Sequence, residues 1–130
     1  MYALDTNVII RYLVQDDKKQ AQKASDFIEN LNDDNLGFIS CIVLCEINWV
    51  LKTAYKVPKK QCIEVLNNIV SIANFEIENL DCCLAALRHY KSGQADFSDY
   101  LIQSISQLKG CNSVITFDKK ALKGEGFKSP

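Results

Sequence analysis

Short apolar segments alternate with longer helical segments along this chain, and that alternation constrains its fold more than any other feature. Strands are predicted at 2–4, 36–39, 75–77 and 113–116. No two-residue hairpin turn joins any of them, and apolar residues repeat at helical spacing in between. Strands separated by helices pair in parallel. We therefore predict an α/β fold with a mainly parallel central sheet covered by helices on both faces.

The same spacing predicts the positions of the helices. They are expected directly after Asp5 and at 18–31, 40–54, 58–72, 81–90, 96–108 and 119–122. Asp81 and Asp96 are predicted to cap the helices that they precede. No repeat or Pro/Gly-rich linker divides the chain, and its 130 residues suffice for one core. Residues 1–130 are therefore expected to form a single domain.

Charge and cysteine content exclude several classes of protein. Fifteen Lys and Arg residues oppose 16 Asp and Glu residues, so any contact with nucleic acid must be local. No apolar run reaches the roughly 20 residues of a membrane helix, and Met1 leads directly into the first strand. The six cysteines form no Cys-x-x-Cys pair and are accompanied by one histidine, which disfavours a zinc finger. We expect a cytoplasmic protein whose reduced thiols mostly lie in the core.

Acidic residues follow the first and last predicted strands, where parallel sheets bind their ligands. Asp5 follows the first strand and is itself followed by Thr6 and Asn7. Asp118 follows the last strand with only Phe117 between them, close to the hydroxyl of Thr116. Each acid alone is also typical of a helix N-cap. The repeated arrangement nevertheless indicates a site at this edge of the sheet.

Glu46 lies within the apolar helical segment 42–51. A buried, unpaired carboxylate costs several kcal/mol, so Glu46 would need a proton, a hydrogen-bond donor or a cation. A metal ion is the favoured partner. The alternative is a Glu46 side chain that points outward along a polar stripe with Asn48 and Lys52.

Asp96 and Asp99 stand three residues apart at the start of a predicted helix, so they can share its first turn. Capping explains them individually. Together with Asp5, Glu46 and Asp118, however, they predict a convergent acidic cluster. Each pair of like charges costs about 4 kcal/mol at about 4 Å and an effective dielectric constant near 20, so such a cluster needs cations. Oxygen ligands without His or Cys favour Mg²⁺ or Mn²⁺, which catalyse phosphoryl displacement.

This set of motifs resembles the PIN-domain ribonucleases, in particular the VapC-type toxins of toxin–antitoxin pairs. The likeness rests on Leu-Asp-Thr-Asn-Val at the start, the glutamate in an apolar helix, Asp-Phe-Ser-Asp, and Thr-Phe-Asp near the end. It implies a three-layer α/β/α domain that binds Mg²⁺ or Mn²⁺ and cleaves RNA. The four acidic positions implied by the resemblance are Asp5, Glu46, Asp99 and Asp118. Asp96 would be an additional acid that also binds the metal, and Asn7 and Thr116 would be supporting groups.

The resemblance also implies a homodimer that a cognate antitoxin silences. Basic residues on the rim must guide RNA past the acids, and Arg11, Lys119 and Lys120 are the preferred candidates. Two alternatives remain open. One is a domain that binds RNA or protein without catalysis. The other is a phosphohydrolase with Asp5 as nucleophile, which Asn7 disfavours because that class usually has a second aspartate there.

Overall fold

The computed structural model describes residues 1–130 and consists of short strands separated by helices. The strands are β1 (Tyr2–Ala3), β2 (Gly37–Ile39), β3 (Phe75–Ile77), β4 (Val114–Ile115) and β5 (Phe127–Lys128). The helices are α1 (Thr6–Val14), α2 (Lys18–Glu29), α3 (Cys41–Thr53), α4 (Lys59–Val70), α5 (Leu80–Ser92) and α6 (Phe97–Leu108), followed by a 3₁₀ helix (Ala121–Lys123). Each predicted element is present, with ends displaced by a few residues.

All strand pairs are parallel. β2 lies between β1 and β3, so that Gly37 is opposite Tyr2 on one side and Phe75 on the other. β4 pairs with β5 in a separate two-stranded sheet, in which Val114 is opposite Phe127. The predicted three-layer α/β/α fold with parallel strands is confirmed. Strand β5 was not predicted, because Phe127 is a single apolar residue between polar residues and glycine and forms no apolar run.

Side-chain caps explain where several helices begin. Asp5, Ser40 and Asp96 each stand immediately before a helix, and each accepts a hydrogen bond from a backbone amide of its first turn. The predicted cap at Asp81 is wrong. Helix α5 begins at Leu80 after Asn79, whose φ of 49° lies in the left-handed region that asparagine tolerates. Asp81 therefore lies inside the first turn.

A single cluster of 28 buried residues forms the hydrophobic core between the sheet and the helices. Ile9 of α1, Ile39 of β2, and Leu44 and Ile47 of α3 are completely buried within it. Four cysteines are buried, as predicted, while Cys45 is half-buried and Cys111 is exposed. None of the helices combines the length and the apolar character needed to cross a bilayer.

Gly93 ends helix α5 three residues before the Asp96 cap, so it helps to place the acidic segment. A Cβ atom at Gly93 would lie 1.7 Å from the Tyr100 hydroxyl oxygen and 2.7 Å from the Cζ atom of that ring. That hydroxyl also accepts a hydrogen bond of 3.3 Å from the Ala95 amide. No side chain fits without displacing Tyr100.

We expect Gly93→Ala to lower the free energy of unfolding by about 1–3 kcal/mol, because the new methyl group overpacks the Tyr100 contact. Urea denaturation measures this change. Gly124→Ala is the matched control, since its φ is also negative and its nearest atom would be 3.3 Å away. Equal losses in the two variants would contradict the packing explanation.

Candidate active site

The end of β1 and the middle of α3 meet at Thr6. Asp5 caps α1 by accepting a hydrogen bond of 2.9 Å from the Thr6 amide to its Oδ1 atom. The Thr6 side chain is buried, and its hydroxyl donates a hydrogen bond of 3.1 Å to Oε2 of Glu46. This hydroxyl therefore brings the Glu46 carboxylate to the start of α1, next to Asp5.

Glu46 itself is exposed, in contrast to the predicted burial. It shares the outer face of α3 with Ile42 and Trp49, which are 70% and 62% exposed. These apolar side chains made the helix resemble a buried one, although they point outward. The alternative, a Glu46 side chain that points outward, is therefore confirmed, but Asn48 does not share that outer face, since it is only 2% exposed.

Asp96 and Asp99 form a capping box at the start of α6. Oδ1 of Asp96 accepts from the Phe97 amide at 2.9 Å, and Oδ2 of Asp99 accepts from the Asp96 amide at 3.0 Å. The predicted cap at Asp96 is confirmed. Both acids are thus fixed on the first turn of the helix by backbone hydrogen bonds, which removes much of the freedom that their side chains would otherwise have.

Asp96 is also bound by two side chains of helix α3. Nζ of Lys52 lies 3.0 Å from its Oδ1 atom, and Nδ2 of Asn48 lies 3.3 Å from the same oxygen. Burial tends to lower the pKa of Lys52, but the hydrogen bond and the charge of Asp96 outweigh it, so that this pKa is raised. With the Phe97 amide, Oδ1 of Asp96 has three donors. Asp99 accepts only through Oδ2 and keeps its other oxygen free.

Asp99 and Asp118 line one cavity of about 340 Å³. Burial raises the pKa of Asp99, and the negative charges of Asp118 and Asp96 raise it further. The hydrogen bond from the Asp96 amide and the charge of Lys52 oppose these effects without cancelling them. The remaining residues of the cavity wall are Lys52, Lys59, Tyr90, Gln94, Ala95, Asp96 and Lys120. The acids of α6 and the acid after β4 therefore meet, and their charges repel one another.

Two hydrogen bonds orient Asp118, one with a residue before it in the chain and one with a residue after it. Its amide donates a hydrogen bond of 3.0 Å to the Thr116 hydroxyl, and its Oδ1 accepts one of 2.9 Å from the Ala121 amide. Thr116 thus supports the loop that carries Asp118. The second of these bonds ties Asp118 to Ala121, the first residue of the 3₁₀ helix.

Three other predicted site residues, Asn7, Arg11 and Lys119, do not line the acidic cavity. Asn7 and Arg11 line a different cavity, of about 470 Å³, between α1 and α2. The Arg11 guanidinium already contacts Asp16 at 3.0 Å and Gln20 at 2.7 Å. Lys119 and Lys120 are exposed beside Asp118, but only Lys120 lines the acidic cavity.

The predicted acids therefore form two pairs in this structure. Asp5 and Glu46 meet around Thr6, and Asp99 and Asp118 meet at the cavity, while helix α3 contacts both groups. No group of three or more His, Cys, Asp or Glu side chains is arranged closely enough to hold a metal ion. The donor set nevertheless suits Mg²⁺ or Mn²⁺, because it consists of carboxylate and hydroxyl oxygens. The metal ligands stay a prediction.

Comparison with known proteins identifies the fold family. The family model of the PIN domain matches residues 2–125. The chain belongs to the PIN domain family. It is also 26% identical over 130 residues to the VapC ribonuclease of Aquifex aeolicus (strain VF5), and the alignment covers 99% of this chain and 95% of that protein. The matched PIN domain spans all of the acidic positions described above.

Asn48 was not predicted as a site residue of this PIN domain, and Lys52 was not among the preferred basic candidates. Both belong to α3, four residues apart, and both bind the same oxygen of Asp96. Their i, i+4 spacing is visible in the sequence and indicates a shared helical face. Their shared partner cannot be inferred from the sequence, since Asp96 lies 44 residues after Lys52.

We expect Asp96→Ala to lower the free energy of unfolding by about 1–2 kcal/mol, because it removes the N-cap of α6. Asp96→Asn keeps a capping oxygen and is expected to stay within about 0.5 kcal/mol of the unchanged protein. Thermal or urea denaturation compares the two variants. The capping role is wrong if alanine and asparagine have the same effect.

Proposed function

We propose that this protein is an endoribonuclease that depends on Mg²⁺ or Mn²⁺, and that it is the toxin of a VapC-type toxin–antitoxin pair in the cytoplasm. The PIN domain match and the similarity to a VapC ribonuclease support this class. The single observation that carries the proposal is the meeting of Asp99 and Asp118 in one cavity, where burial raises the pKa of Asp99 and the charge of Asp118 raises it further.

A divalent cation relieves this repulsion. Without one, four carboxylates driven into a single cluster would repel by several kcal/mol, so two separated pairs are the arrangement that electrostatics favours. We propose that Asp5, Glu46, Asp99 and Asp118 hold the metal. Asp99 is preferred over Asp96 as the direct ligand, because Asp99 has a free oxygen while Oδ1 of Asp96 is bound by three donors.

Each group of this chain then has a defined task in hydrolysis. Bound Mg²⁺ or Mn²⁺ supplies a Lewis acid that activates water and neutralises charge on the phosphodiester. The Thr6 hydroxyl orients Glu46, the capping box orients Asp99, and Thr116 supports the loop of Asp118. The carboxylates of the site would accept the proton that the attacking water loses.

The proposal extends to substrate and partners. Lys120 in the cavity wall and the exposed Lys119 next to it in sequence are proposed to guide RNA, whereas Arg11 would first have to release Asp16 and Gln20. A homodimer and a cognate antitoxin are proposed from the VapC similarity. Residues 1–130 are proposed to act as one domain, because one core cluster draws on residues from Leu4 to Phe127.

We expect Asp99→Asn and Asp118→Asn each to reduce cleavage of single-stranded RNA in Mn²⁺ by about 100-fold or more, since loss of several kcal/mol of metal-borne stabilisation has this effect. Asp33→Asn, in an exposed turn, is the matched control and is expected to leave the rate unchanged. Gel analysis of labelled RNA measures the rates.

Metal binding is followed separately by thermal denaturation. Mn²⁺ should raise the melting temperature of the unchanged protein and of Asp33→Asn, but not that of Asp118→Asn. A protein that binds RNA with no stabilisation by Mn²⁺ and no cleavage would be the non-catalytic binding module. A phosphate trapped covalently on Asp5 would indicate the phosphohydrolase.

A further inference from the structure

The acidic cavity also contains lysine ammonium groups, and their attachments differ. Lys52, Lys59 and Lys120 all line it. Nζ of Lys59 donates a hydrogen bond of 2.8 Å to the Gly93 carbonyl and lies 4.8 Å from the centre of the Tyr90 ring. Lys59 is therefore already bound to the loop that precedes Asp96. Lys120 is exposed at the rim, where nothing fixes its side chain.

Lys52 differs from both, because a side chain of the site itself holds it. Its ammonium lies 3.0 Å from Oδ1 of Asp96, and the two side chains are 36% and 39% exposed. Asp96 is in turn fixed by the Phe97 amide and by the buried Asn48. The position of the Lys52 ammonium is thus set by a chain of hydrogen bonds that begins in the core.

A lysine ammonium has three N–H donors, and Asp96 uses one of them. The partial exposure of Lys52 leaves the others accessible from the cavity. An RNA phosphate that approaches Asp99 and Asp118 meets two like charges, which a fixed cation in the same cavity offsets. A side chain that is already ordered also loses less conformational entropy when it binds.

We propose that Lys52 binds a backbone phosphate of the RNA at this cavity, and that Asp96 and Asn48 act as positioning residues that hold Lys52 in place. The inference rests on the proposed function, since it assigns a phosphate-binding group to that site. It distinguishes the roles of the two acids at the start of α6, with Asp99 facing the metal and Asp96 holding the lysine.

The test measures RNA binding in a background that does not cleave. Asp99→Asn provides this background, because asparagine keeps an oxygen for the hydrogen bond from the Asp96 amide. A short, fluorescently labelled single-stranded RNA of mixed sequence is titrated with protein at several KCl concentrations, and anisotropy gives the affinity. The added changes are Lys52→Met, Lys52→Arg and, as a matched control, Lys60→Met on the exposed side of α4.

Lys52→Met should weaken binding about fivefold at about 0.1 M salt and reduce the slope of log affinity against log salt by about 0.7, the effect of one lost phosphate contact on a single strand. Lys52→Arg should restore both quantities, and Lys60→Met should change neither. With Asp99 intact, Lys52→Met should raise KM more than it lowers kcat.

An unchanged affinity and salt slope in Lys52→Met would overturn the inference, while RNA cleavage by the unchanged protein would keep the proposed function. If Lys52→Arg fails to restore binding although it melts like the unchanged protein, the phosphate contact is also wrong. A protein that neither binds nor cleaves RNA would overturn the proposed function and, with it, this inference.

Discussion

Repulsion between carboxylates that the fold brings close together is the interaction on which the rest of this site depends. Backbone hydrogen bonds at the starts of helices fix Asp5, Asp99 and Asp118, so these acids cannot simply turn away from one another. Asp99 and Asp118 already share a cavity, where burial raises the pKa of Asp99 and the negative charges of Asp118 and Asp96 raise it further. The divalent cation that we propose for this site would convert this repulsion into binding energy.

Helix α3 connects the two halves of the site. Its Glu46 accepts a hydrogen bond from the Thr6 hydroxyl, and its Asn48 and Lys52 both donate to Asp96. The buried Asn48 and the completely buried Ile47 anchor this stretch of the helix in the core. Any shift of α3 would therefore move the Glu46 carboxylate and the Lys52 ammonium together.

Much of the fold follows from local sequence, whereas parts of the site do not. The α/β class, the β3 strand and the cap at Asp96 follow from apolar spacing and capping chemistry, which act over a few residues. An exposed Glu46 was only the alternative prediction, because Ile42 and Trp49 are apolar yet point outward. The ion pair between Lys52 and Asp96 joins residues 44 positions apart, and only tertiary packing brings them together. Arg11 was placed by its nearness to Asp5 in sequence, but α1 directs it toward Asp16.

The convergence of the acids is tested most directly by the anomalous diffraction of crystals grown with Mn²⁺. The account predicts a Mn²⁺ peak within coordination distance of Asp99 and Asp118, with the carboxylates of Asp5 and Glu46 drawn toward it. Mn²⁺ bound at another place on the surface, with the two carboxylate pairs still apart, would contradict the account.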